Sequence, residues 1–335
     1  MSSHAVAQVF DGPGRPLRLQ EFPLPDVLAP GEVLIQVRLA TLCGSDLHTI
    51  EGRRNEPTPA ILGHEGVGTV LRCAPDREGL IEGCRVTWSI ADSCGSCAFC
   101  TNYDLPEKCT QVFKYGHSAI TDGYGLNGTY ASHVILRPGT SIVAVPDRLA
   151  DAVVAPANCA LATVANALSH VPDTATSVLV QGAGLLGIYA CAWLRDRGVQ
   201  HVFCADPLAE RRQLARRFGA EPLDCLATEL KIRHEQIRSV APHGIDAVLE
   251  LSGERTAVHE GVEHLRIGGV YVLAGMVHPD SDLGGLTGET VIRKCLTLRG
   301  VHNYSPRHLQ QGIDFLGRTA EMYPYTDLVG PPVAL

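Results

Sequence analysis

In this chain of 335 residues, the most informative stretch is Val178-Leu-Val-Gln-Gly-Ala-Gly-Leu-Leu-Gly187. A short apolar run, typical of a buried strand, leads into the spacing G-x-G-x-x-G and then into a stretch of helical character. In such a loop Gly182 allows the tight turn, Gly184 lets a pyrophosphate approach the backbone, and Gly187 lets the helix pack on the strand. The pattern predicts a dinucleotide-binding loop. Its residues are Gly182, Gly184, Leu185, Leu186 and Gly187.

An acidic residue follows at the end of the next predicted strand. Asp206 lies 19 residues after Gly187, near the spacing at which a carboxylate accepts hydrogen bonds from the adenosine ribose. A carboxylate there also repels a 2′-phosphate, so Asp206 favours NAD over NADP as the bound cofactor. Arg211 and Arg212 lie close by, and they either contact the cofactor or begin a solvated helix face.

The second half of the chain alternates short apolar runs with amphipathic stretches. We predict strands at 177–180, 201–205, 247–251, 270–274 and 296–299, and helices at 185–197, 208–218 and 255–265. Strand–helix alternation of this kind predicts a parallel sheet that is covered by helices. An alanine-rich stretch, Asp151–Leu168, comes before it and is predicted to be helical apart from Pro156.

The first half of the chain has the pattern of a β-rich domain. Glu32–Leu39 alternates, so that its apolar residues share one face of a half-buried strand. These residues are Val33, Ile35, Val37 and Leu39. Because glycine and proline punctuate most of the remainder, we expect an antiparallel, barrel-like domain with functional loops.

The composition excludes several classes of protein. An apolar fraction of 45% with 19% charged residues is typical of a globular protein and excludes a disordered chain. The net charge of −8 argues against nucleic acid as a partner. No apolar run approaches the roughly 18 residues of a membrane span, and the N-terminus lacks a signal-peptide pattern. We therefore expect a soluble, cytoplasmic protein with no membrane partner.

Four of the twelve cysteines crowd into one short segment. Cys94, Cys97, Cys100 and Cys109 have the spacing C-x2-C-x2-C-x8-C. Four thiolates so spaced can close a tetrahedral metal site. A redox or iron–sulfur centre is the alternative. We favour structural zinc because all four ligands come from one loop and leave no open position for chemistry.

A second group combines Cys43-Gly-Ser-Asp-Leu-His48 with Gly63-His-Glu65. Cysteine, histidine and glutamate are zinc ligands, or hydrogen-bond partners of such ligands, by residue type. Together with the four-cysteine loop, the glycine loop and Asp206, in this order along the chain, these motifs resemble the zinc-dependent medium-chain alcohol dehydrogenase family. The resemblance covers almost the whole chain.

The resemblance implies an α/β fold with two domains and an active site in the cleft between them. A GroES-like, β-rich catalytic domain is expected at 1–158, a doubly wound parallel-sheet Rossmann domain at 159–301, and a return to the catalytic domain at 302–335. Family members usually continue for a few tens of residues more, so this last segment is expected to be short. The family also pairs Rossmann sheets edge to edge, which predicts a homodimer or homotetramer through 296–299 and the segment around 283–290.

The resemblance also implies roles for individual residues. The catalytic zinc ligands are Cys43, His64 and Cys159, and the structural zinc ligands are the four clustered cysteines. Glu65 matches a carboxylate beside the metal, and Asp46 matches the partner that orients His64. Ser45 matches the hydroxyl that takes the substrate proton, and His48 the outer end of that relay. The cofactor contacts are Gly182, Gly184, Leu185, Leu186, Gly187, Asp206, Arg211, Gly275, Met276, Val301 and His302.

The implied activity is hydride transfer between a small alcohol, aldehyde or ketone and NAD, with two zinc ions per chain. Lys114-Tyr-Gly-His117, Pro156-Ala-Asn-Cys159 and Val301-His-Asn-Tyr304 further resemble a bacterial subgroup associated with phosphonate metabolism. That resemblance suggests an anionic substrate head group. Its candidate contacts are Arg53, Arg54, Lys114, His117 and His302. The alternatives are a polyol, sugar or aminocyclitol dehydrogenase, a zinc-free reductase of the same superfamily, and a non-catalytic zinc and dinucleotide binding protein.

Overall fold

The computed structural model describes residues 3–226, 229–277 and 281–335. Its contacts group the chain into two units. The first unit comprises Met1–Cys159, Ser305–Arg318 and Tyr325–Leu335, and the second comprises Ala160–Tyr304 and Thr319–Pro324. The division after Cys159 falls inside the alanine-rich stretch.

The first unit is built mainly of β-strands. Its elements, in chain order, are β1 (His4–Phe10), β2 (Arg18–Pro23), β3 (Val33–Thr41), α1 (Gly44–Ile50), β4 (Ala60–Ile61), β5 (Glu65–Cys73), β6 (Arg85–Asp92), α2 (Ala98–Thr101), β7 (His133–Leu136), β8 (Thr140–Ala144) and α3 (Asp151–Val154). The strands pair antiparallel in two sheets, of order β2-β1-β4 and β7-β3-β5-β6-β8. The antiparallel, β-rich domain predicted for the first half is confirmed.

Strand β3 is more buried than its alternating pattern predicts. Val33, Ile35 and Val37 pack on one side with Trp88, as expected. Leu34, which points to the opposite face, is also buried and packs in a second core cluster. The beginning of β3 is therefore buried on both faces, because a strand in the middle of a sheet can be covered on each side.

The second unit alternates strands and helices. Its elements are α4 (Ala162–Leu168), β9 (Ser177–Gln181), α5 (Leu185–Asp196), β10 (His201–Asp206), α6 (Ala209–Arg217), β11 (Glu221–Asp224), α7 (Leu230–Val240), β12 (Ile245–Glu250), α8 (Arg255–His264), β13 (Leu265–Leu273), α9 (Gly288–Arg293) and β14 (Thr297–Gly300). The last helix, α10 (Pro306–Thr319), belongs mainly to the first unit. All six strands pair parallel in the order β11-β10-β9-β12-β13-β14, which confirms the doubly wound sheet.

Three elements of the second unit were not predicted from the sequence. These are β11, α7 and α9. Strand β11 has the sequence Glu-Pro-Leu-Asp, which is untypical of a strand because it contains a proline and two acids. It lies at the edge of the sheet, where a proline is tolerated because one side of the strand needs no hydrogen bonds.

The order of the sheet determines where a ligand can bind. Strand β9 lies between β10 and β12, and the chain moves to opposite sides of it in turn. At such a reversal the loops after the strands leave a crevice at their carboxyl ends. The glycine loop follows β9, Asp206 ends β10 and Glu250 ends β12, so all three lie at this edge.

The alanine-rich stretch Asp151–Leu168 is helical but not regular. It consists of α3, a π-helical turn at Ala157–Leu161, and α4. Among the described residues, it is the one helical stretch long and apolar enough to cross a membrane by length and composition, contrary to our expectation that no such run exists. Because 78% of it is buried inside the protein, it has the character of a core helix.

Candidate active site

Two groups of metal-ligating side chains lie in the first unit. The mixed cluster consists of Cys43, His64, Glu65 and Cys159, and the cysteine cluster consists of Cys94, Cys97, Cys100 and Cys109. Within each group the ligand atoms all lie within 4.8 Å of one another. The fold thus brings together each set of residues that the sequence predicted as a metal site.

Three separate elements build the mixed cluster. Cys43 directly precedes α1, and Glu65 opens β5, where it pairs with Thr41 at the end of β3. This pairing places the end of β3 and the start of β5 side by side, and so brings Cys43 near His64. Cys159 comes from the π-helical turn, a distortion that is frequent at functional sites.

The sulfur separation in the mixed cluster fits a bound zinc ion. The Cys43 and Cys159 Sγ atoms are 3.9 Å apart. A tetrahedral zinc ion with zinc–sulfur bonds of about 2.3 Å separates two sulfur ligands by about 3.8 Å. Together with His64 and Glu65, the two cysteines offer four ligand atoms, the number that a tetrahedral zinc site takes.

Asp46 holds His64 in the orientation that a metal needs. The Asp46 carboxylate is fully buried, and its Oδ2 accepts hydrogen bonds from the Cys43 amide at 3.0 Å and the Tyr130 hydroxyl at 2.8 Å. Its Oδ1 lies 3.5 Å from His64 Nδ1, a mainly electrostatic contact at that length. Because Nδ1 faces Asp46, Nε2 is the nitrogen left for the metal.

Several residues that support the mixed cluster were not predicted from the sequence. Tyr130 is one of them. Asn158, which is fully buried, donates from Nδ2 to the carbonyls of His64 at 3.0 Å and Trp88 at 2.8 Å. Thr41 donates to Glu65 at 2.5 Å. Asn158 was detectable as a lone amide in an apolar run beside Cys159, whereas Tyr130, which is 84 residues from Asp46, gives no sequence signal.

The side chains of the mixed cluster have strongly shifted pKa values. A hydrogen bond with the Cys159 thiol, with His64 nearby, lowers the pKa of Cys43 to about 3. Against the opposing effect of burial, Asp46 and Cys43 raise the pKa of His64 to about 10. Burial, together with the charge on Cys43, raises the pKa of Glu65 to about 8. A dication that binds Cys43 and His64 would displace the imidazole proton, so metal binding here releases protons.

The cysteine cluster has the geometry of a closed site. Cys97 Sγ lies 3.6 Å from Cys100 Sγ and 3.9 Å from Cys109 Sγ, again close to the edge of a zinc tetrahedron. Backbone amides of Cys94 and Gln111 donate to Cys109 Sγ, each at 3.3 Å. Such amide donors stabilise thiolates, and four sulfurs leave no open position. The two clusters together are compatible with two zinc ions per chain.

Ser45 and His48 lie on helix α1, directly beside the mixed cluster. The Ser45 side chain lies near enough to the Cys43 sulfur to help lower the pKa of that thiol. His48 comes three residues later, in the last turn of the helix, so the two side chains lie on one helix face. This arrangement suits the proton relay that the resemblance implies.

The glycine loop in the second unit is as close-packed as its motif requires. Gly182 has a φ of +96°, which favours glycine. A Cβ at Gly187 would lie 1.8 Å from the Gly182 carbonyl oxygen, so only glycine fits there. A Cβ at Gly184, at the N-terminus of α5, would meet nothing within 4 Å, so this backbone is open to a ligand.

Asp206 is buried beneath the glycine loop. Its carboxylate accepts hydrogen bonds from the amides of Ala183 at 2.9 Å and Leu208 at 2.8 Å. Arg211, about half exposed, places Nη1 3.9 Å from Asp206. Arg212 instead donates to the Asp206 carbonyl at 2.8 Å and pairs with Asp224, so it is already engaged and does not belong to a solvated helix face.

The remaining predicted cofactor contacts also lie at the carboxyl edge of the sheet. Gly275 and Met276 follow β13, and Val301 and His302 follow β14, the neighbouring strand. The amide of Gly275 donates to Glu250 Oε2 at 3.2 Å. Glu250, another residue that sequence analysis missed, is fully buried and also binds the amides of the loop after β12.

The basic residues predicted to meet an anionic substrate differ in availability. Arg53 pairs with Glu51, and the Arg54 Nε atom lies 2.5 Å from Glu56. The Lys114 side chain, by contrast, has no hydrogen bond or ion pair within the described part of the chain. Burial, with the charge of Arg54, lowers the pKa of Lys114.

His117, from the same set, lies against a metal ligand. Its ring stacks on His64 at a centroid distance of 5.1 Å, and its Nδ1 lies 3.1 Å from Glu56 Oε1. Burial lowers the pKa of His117, although Glu56 opposes this shift. His302, the last member of the set, follows β14 in the second unit.

Two family models match this chain, one in each half of the sequence. Residues 29–147 match the family described as alcohol dehydrogenase GroES-like domain, and residues 186–318 match the family described as zinc-binding dehydrogenase. An alcohol dehydrogenase of known structure from Thermotoga maritima has a TM-score of 0.92 and 30% identity, with coverage of 98% of this chain and 92% of that one.

Two curated relatives extend the comparison to named activities. The 5-exo-hydroxycamphor dehydrogenase of Pseudomonas putida is 28% identical over 90% of this chain and 85% of its own length. D-arabinitol dehydrogenase 1 of Uromyces fabae is 29% identical over 73% of this chain and 68% of its own length.

Proposed function

The chain belongs to the zinc-dependent medium-chain alcohol dehydrogenase family, and we propose that it is an NAD-linked oxidoreductase that interconverts a small alcohol and its aldehyde or ketone. The observation that carries the proposal is the mixed cluster. Cys43, His64 and Cys159 are held together with Asp46 behind the histidine and Ser45 beside the cysteine. Zinc or dinucleotide binding alone would need neither Ser45 nor His48.

Different residues of the mixed cluster and of helix α1 perform different parts of the proposed reaction. A zinc ion held by Cys43, His64 and Cys159 would supply a Lewis acid that makes an alcohol hydroxyl more acidic. Ser45 accepts the hydroxyl proton and passes its own proton towards the imidazole of His48. Asp46 keeps His64 in place throughout.

The cofactor preference rests on Asp206. Its carboxylate ends β10 beneath the glycine loop, where it would face the adenosine ribose of a bound dinucleotide and repel a 2′-phosphate. Arg211 lies beside it as the residue best placed to reduce that repulsion. We therefore propose NAD as the preferred cofactor.

Turnover of an alcohol panel tests the proposed function. We expect the zinc-loaded enzyme to reduce NAD with at least one small alcohol, which nicotinamide absorbance would record. Cys43→Ala and His64→Ala should abolish turnover, whereas Cys73→Ala, a half-buried cysteine outside both clusters, should not. Binding of zinc and NAD without turnover of any alcohol or carbonyl compound would instead support a non-catalytic protein.

A hydroxyalkylphosphonate is a more specific candidate substrate, and Lys114 is the observation that favours it. Arg54 and His117 both contact Glu56 directly, whereas Lys114 makes no ion pair with any described acid. We expect 2-hydroxyethylphosphonate to be oxidised with a higher kcat/KM than ethanol, and Lys114→Gln to raise KM for the phosphonate. Arg53→Gln, at an exposed pair, is the matched control. A higher kcat/KM for ethanol would exclude this substrate.

A polyol or sugar is the second candidate class. The named activity of D-arabinitol dehydrogenase 1 supports it. A panel that includes D-arabinitol and sorbitol distinguishes the two candidates, because neither polyol carries the charge that Lys114 would bind.

We also propose a homo-oligomer in the cytoplasm. Strand β14 has a neighbour on one side only among the described strands, and all four of its residues are exposed. Pairing with a second copy would close this edge. Light scattering should therefore show a dimer or tetramer, and a monomer at micromolar concentration would contradict it. The described cysteines form no disulfide bonds, which suits a reducing compartment.

A further inference from the structure

Glu56 and His117 form a hydrogen-bonded pair beside the mixed cluster. Both side chains are only 11% exposed. Glu56 Oε1 lies 3.1 Å from His117 Nδ1 and 2.5 Å from Arg54 Nε. The Arg54 guanidinium, in an ion pair with Glu56, favours the ionised form of this carboxylate. None of these three residues takes part in metal binding or in the proton relay.

Two observations place His117 next to the reacting position. Its ring stacks on His64 with centroids 5.1 Å apart and planes 30° apart. His64 turns Nδ1 towards Asp46, so its Nε2 faces the metal position. A ring stacked on His64 therefore lies beside that position, where the substituents of a bound alcohol must be accommodated.

The hydrogen-bond partner of His117 Nδ1 determines whether the other ring nitrogen, Nε2, donates or accepts a hydrogen bond. An ionised carboxylate only accepts hydrogen bonds, so Nδ1 carries the proton that is shared with Glu56. The neutral ring then presents Nε2 as an acceptor. Nε2 makes no hydrogen bond to any described residue, so it is available to a ligand that carries a donor hydrogen.

We propose that His117, oriented by Glu56, is a specificity-determining residue that accepts a hydrogen bond from a second hydroxyl group, on the carbon next to the reacting one. The enzyme then prefers vicinal diols and polyols to simple alcohols. This inference rests on the proposed function, since it concerns substrates of the same site. An anion is not the ligand of His117 itself, because a nitrogen lone pair offers it no donor.

Three alcohols that share a secondary carbinol test the inference. They are 2,3-butanediol, 2-butanol, which lacks the second hydroxyl, and 3-methoxy-2-butanol, in which that oxygen has no hydrogen to donate. We expect kcat/KM for the diol to exceed the other two by about tenfold, the effect of one well-made hydrogen bond in a partly enclosed site. Equal values for all three would overturn the inference.

Variants of the pair separate its two members. His117→Phe keeps an aromatic ring against His64 but removes both nitrogens. It should bring the ratio of kcat/KM for 2,3-butanediol to that for 2-butanol close to one. Glu56→Ala should reduce the preference because Nδ1 loses its partner, whereas Glu56→Gln, whose amide oxygen can still accept from Nδ1, should recover part of it. His133→Phe, a mostly buried histidine on β7, is the control and should leave the preference unchanged.

A binding measurement keeps this test independent of turnover. Without NAD the zinc-loaded enzyme cannot oxidise an alcohol, so calorimetry gives the Kd of 2,3-butanediol and 2-butanol directly. We expect about tenfold tighter binding of the diol in the wild type and equal binding in His117→Phe, with zinc content unchanged. Diol preference that persists in His117→Phe would refute the inference alone, whereas failure to oxidise any alcohol would refute the proposed function and leave the Kd ratio as the test.

Discussion

Replacing Gly187 by alanine should destabilise the second unit through one severe contact. The new Cβ would lie 1.8 Å from the Gly182 carbonyl oxygen, whereas real Cβ atoms essentially never approach other atoms closer than 3.0 Å. Helix α5 would therefore have to move away from the loop by about 1.2 Å, the difference between these distances. Because α5 is buried over most of its length, from Gly187 to Ala192 and at Leu194, that movement disturbs the core.

The cost follows from the behaviour of overpacked sites. Inserting a methyl group into a close-packed interior typically costs about 1–3 kcal/mol. For a unit of this size, that corresponds to a fall in Tm of about 2–12 °C. Gly184→Ala is the matched control, since its Cβ would meet nothing within 4 Å and its φ is −72°. We expect it to cost no more than about 1 kcal/mol, because alanine is a poorer N-cap residue than glycine.

Two measurements separate packing from cofactor binding. Urea unfolding without NAD, followed by the fluorescence of Trp193 in α5 and Trp88 in β6, should show the larger loss of stability in Gly187→Ala. Titration with NADH should show weaker binding in both variants, because a methyl group at Gly184 occupies the backbone surface that a pyrophosphate approaches. Equal unfolding curves for the two variants would show that the close approach at Gly187 does not limit the packing of α5.

Cys97→Ser should remove one of two zinc ions and lower thermal stability, because a structural zinc contributes folding free energy. The control Cys84→Ser should change neither zinc content nor stability. Metal analysis measures the first quantity and calorimetry the second. Asp206→Gly should narrow the preference for NAD over NADP, and an unchanged ratio of kcat/KM values would exclude Asp206 as the discriminating residue. Against the effect of burial, Arg266 and two backbone amides hold the pKa of Asp246 below its ordinary value. Asp246 therefore stabilises the fold above about pH 4 and loses this contribution as pH falls, so the stability gap to Asp246→Asn, measured by urea unfolding, should shrink in acid.

Much of the fold could be predicted because its signals are local. The strand before the glycine loop was expected at 177–180 and spans Ser177–Gln181. The cysteine cluster was evident because all four ligands lie in one short segment. Strand β11 was missed because its edge position, which tolerates a proline, depends on the neighbouring strands.

The candidate site was predictable only in part, since its supporting residues come from distant segments. The ligands Cys43, His64 and Cys159 were identified through a family resemblance, not through spacing alone. The contacts of Tyr130 with Asp46 and of His117 with His64 join residues whose separation follows no repeat or period. Likewise, the pairing of Arg54 with Glu56 could not be inferred from the two charges, because ion pairing depends on loop geometry.

The two cysteines of the mixed cluster lie far apart along the chain. Cys43 and Cys159 are 116 residues apart, whereas the outermost members of the cysteine cluster are 15 apart. A metal ion that joins either pair acts as a cross-link, and closing the longer loop removes more conformational entropy from the unfolded chain, by about 2 kcal/mol. The ion held for chemistry would thus restrain the unfolded polypeptide more than the ion held for structure, and chelating it should release the longer of the two loops.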